Sequence, residues 1–234
     1  MNNIEKKVQK RLKLVGKKYG FKNTKSDRIS VVRHLENDIE EIRCNIIYWR
    51  GEYNGIFVYD KIIENIECFV EKYYSQIAPY INSRQSTIYL GENFANVSLK
   101  ESLNDIFQIP IEDTPEGITA FCDLLEYNIV EKMLPLAEKF NDLVYLERCI
   151  REALNEYTDF SLENIEKNLY PFFNRIGGDF RVLIIAKLAG VDDYEQIYER
   201  LLRFSEQRSK SDDFFKNYPI VMKNLYEDLK GITP

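Results

Sequence analysis

The stretch RISVVRHLENDIEEIRCNIIYWRGEYNGIFVYD, Arg28 to Asp60, decides the fold. Ile29 to Leu35 is a short β-branched run that breaks at Glu36-Asn37-Asp38. Asn and Asp favour turns because their side chains bond nearby backbone and tolerate left-handed conformations. From Ile39 to Trp49 the residues alternate: Ile42, Cys44, Ile46 and Tyr48 fall on one side, Glu41, Arg43 and Asn45 on the other. A period of two is that of a half-buried strand. Gly51 to Gly55 reads as the next turn and Gly55 to Tyr59 as a third strand, so the stretch predicts a three-stranded antiparallel meander.

Outward from the meander, helices are expected on both sides. Asn3 to Tyr19 carries Ile4, Val8, Leu12 and Val15 at helical spacing, and Gly20 is a fitting stop. Lys61 to Gln76 reads as a helix, Ser86 to Leu90 as a fourth strand, residues 91–98 as loop and residues 100–107 as a short helix. Thr114-Pro115-Glu116 is a helix start: a capping hydroxyl, Pro at the first helical position and an acid near the positive end. The apolar face then runs through Ile118, Phe121, Leu125, Ile129 and Met133, with a kink or end at Pro135. Further helices are expected from Asp142 to Tyr157, from Ser161 to near Pro171, and from Asp179 to Ala189. The third of these is apolar enough to be a buried central helix. One more is capped by Asp192 or Asp193, and the last covers Ser211 to Lys230 with a bend at Pro219. The predicted fold is α+β: a small antiparallel β-meander flanked by helices, then a mostly α-helical C-terminal half. Residues 1–110 form the helix-plus-sheet region and 111–234 the helical region.

The composition is that of a globular chain, with 44% hydrophobic and 30% charged residues in 234. No apolar run approaches the roughly 20 residues that span a bilayer, and the first residues lack the apolar segment of a signal peptide. Cys44, Cys68, Cys122 and Cys149 are far apart and sit among apolar neighbours, which fits reduced core residues of a cytoplasmic protein. The net charge of −6 is uneven. Residues 1–28 hold ten Lys or Arg against Glu5 and Asp27, leaving 22 basic and 36 acidic residues elsewhere, a balance of −14.

Candidate chemistry is sparse. His34 is the single histidine and lies on the opposite side of its strand from Val31 and Leu35, a solvent-side position. Ser-His or Cys-His catalysis would have to run through it. Zinc spacings are missing, adjacent acids such as Asp192-Asp193 point apart, and Gly177-Gly178 lacks the strand and Lys-Ser of a phosphate loop. Asp60-Lys61 is too short a pattern to mark a nuclease. No catalytic residue, cofactor or metal ligand is assigned.

Two surfaces remain. Trp49, Arg50, Tyr53 and Tyr59 are residue types that carry binding energy at interfaces, and they gather at one end of the meander. Lys6, Lys10, Lys13 and Lys17 on the first helix could contact a polyanion, or form a solvated face that pairs with the acidic body. The order of a Lys-rich helix, Tyr19-Gly20-Phe21-Lys22, the sheet, and Val130 to Leu136 resembles a scattered group of bacterial proteins with no assigned activity. Small bacterial proteins of this look include immunity proteins and other binding partners.

The function expected is thus a non-catalytic cytoplasmic bacterial protein acting through protein–protein binding, immunity-type or regulatory. A nucleic-acid-associated protein using the basic helix is the alternative, and a metal-dependent hydrolase comes third. Neither a membrane nor a cofactor is expected.

Overall fold

The computed structural model describes residues 3–24, 29–77, 87–90, 108–155 and 177–233. The loop expected at 91–98 and the helices expected at 100–107 and from Ser161 lie outside these residues. The architecture is α+β, with an antiparallel sheet and a helical C-terminal half. The chain folds into two compact units, each built from two separated stretches: residues 1–62 with 88–138, and residues 63–87 with 139–234.

The first unit holds the sheet. β1 (Lys22–Asn23), β2 (Ser30–His34), β3 (Asp38–Trp49) and β4 (Glu52–Ile63) lie side by side in chain order. β2 and β3 pair antiparallel with Val31 opposite Ile42 and Arg33 opposite Glu40. Two short strands share the other edge of β4. β5 (Ile88–Leu90) pairs with Tyr59 to Lys61, and β6 (Gln108–Ile111) pairs with Tyr53 to Ile56. With β3 on one edge and β5 and β6 on the other, β4 is an interior strand. Every residue from Gly55 to Lys61 is buried, so it lacks the one-sided alternation of β3.

Several expectations are corrected here. The turn before β4 is only Arg50-Gly51, both at positive φ (54° and 89°), which is the two-residue hairpin geometry compatible with the strand twist. β4 therefore starts at Glu52 and runs past Asp60 and Lys61 to Ile63. The helix expected from Lys61 begins three residues later, as α2 (Glu64–Glu71), and breaks before α3 (Tyr74–Ile77). Lys61 reads as the start of a helix and Asp60 as the end of the meander, because the burial of both in a strand depends on partners far away in sequence. Asp60 is bonded by Arg43, and the Lys61 ammonium lies 3.0 Å from Asp38 and 3.6 Å from Glu40. β6 falls where no strand was expected.

α1 (Asn3–Lys18) covers the sheet with Ile4, Val8, Leu12 and Val15, all nearly inaccessible. A Cβ at Gly16 would lie 3.1 Å from Val31, so the helix packs closely on β2. α4 (Pro115–Tyr127) is capped as expected by the Thr114 hydroxyl, which accepts the Gly117 N–H at 3.0 Å. Its Phe121 ring lies over Gly55, where an added Cβ would come within 2.2 Å. Pro135 neither ends nor breaks this helical path. A π-helical segment (Asn128–Met133) links α4 to α5 (Leu134–Lys139), and the wider turn absorbs the proline just after it.

The second unit is helical. α6 (Leu143–Ala153) is capped by Asp142, whose carboxylate accepts the Val144 and Tyr145 N–H groups. α7 (Gly178–Leu188) is buried from Gly178 through Ala186, the central helix that its unbroken apolar run predicts. α8 (Tyr194–Ser211) follows. Asp193 sits at its start but makes no cap bond; its carboxylate instead binds Arg151 of α6 at 2.7 and 2.8 Å. The expected bent helix from Ser211 is two elements, a 3-10 turn (Asp213–Phe215) and α9 (Tyr218–Leu229), with Pro219 in the first turn of the latter. Proline there has no N–H to leave unsatisfied, so it begins the helix and does not bend it.

Candidate interaction surfaces

The β3–β4 hairpin ends in an exposed aromatic group. Beyond Arg43, β3 has no strand neighbour on its β2 side among the described residues. Its last residues before the turn break the alternation, since the adjacent Ile47 and Tyr48 are both exposed, at 41% and 62%. The Tyr48 ring tilts against the half-buried Tyr53 ring of β4, with centroids 4.6 Å apart. Arg50 is exposed at the turn. Trp49 closes β3, but its side chain lies outside the description. Tyr59 does not belong to this surface. It is fully buried on the interior strand, and burial, then the Glu40 carboxylate, push its hydroxyl well above the ordinary tyrosine value. The sequence places it with the others by composition; the second neighbour of β4 removes it.

The basic residues of α1 other than Lys7 divide into two sets. Arg11 and Lys18 are engaged. Arg11 bonds Glu126 and Asp123 of α4 at 2.9 Å, and Lys18 reaches the other Glu126 oxygen at 2.9 Å. These two bonds, Lys18 first, hold the Glu126 carboxyl below the ordinary glutamate value. Lys17, Leu14, Arg11, Lys18 and Glu126 line an open groove of about 640 Å³. Lys6, Lys10, Lys13 and Lys17 form the other set. All four lie on the side of the helix opposite its buried stripe, Lys13 half-buried and the other three exposed, and none makes an ion pair with a described residue. Glu5, the single acid of α1, stands beside Val8 and Gln9 at helical spacing, not beside these lysines.

The buried charges have internal partners. In the first unit, Glu40 takes Arg33 at 2.7 Å and faces Lys61. In the second, the Arg181 guanidinium forks onto both Glu67 oxygens at 2.7 Å and also reaches the Tyr74 hydroxyl at 2.9 Å. Thr87 donates to Glu67 at 2.7 Å and accepts the Ile63 N–H at 2.8 Å. Arg208 pairs with the buried Asp179 at 3.4 Å and lies 3.6 Å over the Phe215 ring. Charge balance within each cluster is what buried ions require.

His34 is exposed at the end of β2, and burial raises the thiols of Cys44, Cys122 and Cys149. Cys68 is exposed, contrary to the expectation that every cysteine is in the core. Its place on α2 turns it away from α7, which the apolar neighbours in sequence do not reveal. Among the described residues no group of three or more His, Cys, Asp or Glu is placed to hold a metal, and no helix is long and apolar enough to cross a membrane. No protein-family model, curated protein or solved structure matches this chain.

Proposed function

We propose that this chain is a non-catalytic binding protein of the bacterial cytoplasm that docks another protein on the end of its β3–β4 hairpin. The observation that carries the reading is the exposure of Ile47 and Tyr48, with Tyr48 braced on Tyr53, at the tip of the hairpin. Tyrosine supplies a large contact area with little rotamer entropy to lose, and a neighbouring ring that already fixes its orientation lowers the cost further. Arg50 beside the pair adds a second residue type enriched at hot spots.

The partner suited to this protein is basic. Outside the first 28 residues the chain carries a balance of −14, and such a field speeds encounter with a positively charged protein. An immunity-type or regulatory role follows from that pairing. The cytoplasmic location is supported by the cysteines, none of which forms a disulfide.

Trp49 is the single tryptophan of the chain and closes β3, so its emission reports on this end alone. The test is affinity capture of a stoichiometric partner followed by titration read from that emission. Tyr48→Ser is expected to weaken binding at least tenfold, as loss of a hot-spot side chain does, with the thermal midpoint unchanged. Unaltered affinity of Tyr48→Ser and of Tyr53→Ser would remove the hairpin end from the reading.

A further inference from the structure

We infer that the solvent face of α1 docks on the phosphodiester backbone of a nucleic acid. Lys6, Lys10, Lys13 and Lys17 are spaced i, i+4, i+7 and i+11, which gathers them within roughly 60° of arc and along about 16 Å of helix. That arc stands opposite the stripe of Ile4, Val8, Leu12 and Val15 by which the helix is seated on the sheet.

Its isolation from acids is the informative part. The same helix pairs Arg11 and Lys18 with α4, so acids are within reach of its flank, yet the four row lysines have no ion pair with a described residue. Like charges three and four residues apart destabilise a helix, so the row contributes nothing to folding. A ladder of ammonium groups without ion-pair partners among the described residues is complementary to a ladder of phosphates, and point charges on flexible stems suit a contact that ignores sequence. An acidic body elsewhere confines such contact to this face.

An anionic membrane is the less favoured occupant. Helices that lie on membranes insert an apolar face, and the apolar face of α1 is already spent on the core. This surface lies on a different element from the hairpin end, and neither proposal depends on the other.

The experiment is fluorescence anisotropy of a short labelled DNA duplex titrated with the full chain at several salt concentrations. Four phosphate contacts predict a slope of log K against log salt of about −3.6, and each single Lys→Gln in the row is expected to bring it nearer zero by about 0.9. Lys6→Gln/Lys10→Gln/Lys13→Gln/Lys17→Gln should abolish binding while the circular dichroism stays unchanged. Lys216→Gln, an exposed charge in the other unit, should leave the slope as it is. If the quadruple variant does not fold, the four single variants decide the matter. No binding at low salt, a slope indifferent to the row, or binding to phosphatidylserine vesicles but not to the duplex would each overturn the inference. Tyr48→Ser should leave duplex binding intact, so failure of either proposal is seen separately.

Discussion

Arg181 and Glu67 have side chains with 0% accessibility, and each satisfies the other through two bonds at 2.7 Å. An ion pair so deep is not a strong stabiliser by itself, but removing one partner leaves a charge in the core. Arg181→Ala is therefore expected to lower stability by about 3–5 kcal/mol in urea unfolding. Replacing both, Glu67→Leu with Arg181→Met, should recover most of the loss. Equal damage from the double variant would mean that packing, not charge, dominates the site. Tyr74 marks the same environment: burial pushes its hydroxyl up to about 12, so it stays a neutral hydrogen-bond donor and acceptor across the physiological range. None of this was legible in the sequence, where Arg181 stands inside an apolar helix and Glu67 reads as one more surface acid.

At the scale of elements, most periodic signals translated directly. The α1 stripe and the Thr114 cap depend on neighbours within four residues, and the structure keeps them, as it keeps the β3 alternation as far as Cys44. The contact of α1 with α4 adds a pH dependence of known sign. Glu126 is held below its ordinary value of 4.5 by Lys18 and Arg11, so the folded state binds fewer protons than the unfolded chain there. Its contribution is complete above pH 4.5 and is lost as the pH falls through the lower folded-state value. The bridge is partly exposed, so the effect is modest. Acid unfolding followed by circular dichroism should show a loss of stability below that pH, and Glu126→Gln should flatten this part of the profile. A profile unchanged by Glu126→Gln would remove this bridge as its source.

At the scale of the molecule, both compact units are discontinuous in sequence. The second takes α2 and Thr87 from the first half of the chain, and with α2 the Glu67 carboxylate that Arg181 bonds. A fragment of residues 139–234 keeps α7 but loses Glu67, Tyr74 and Thr87. It is expected to show no cooperative thermal transition by circular dichroism, whereas the full chain does. A fragment that melts cooperatively with native-like midpoint would show that residues 63–87 are dispensable to the unit.

The sequence by itself determined the α+β class, the β2–β4 core of the meander, the main helices with their apolar faces, and the basic character of the first helix. These follow from residue chemistry and periodicity over a few neighbours. Only the tertiary structure decided that Tyr59 is core while Tyr48 is exposed, that Asp60 and Lys61 belong to a strand, and that Arg181 has a counter-charge. It also separated Arg11 and Lys18, bound to α4, from the row of lysines on the side opposite the buried stripe. Each of these depends on a partner brought close by folding, and periodicity carries no record of which distant residue that will be.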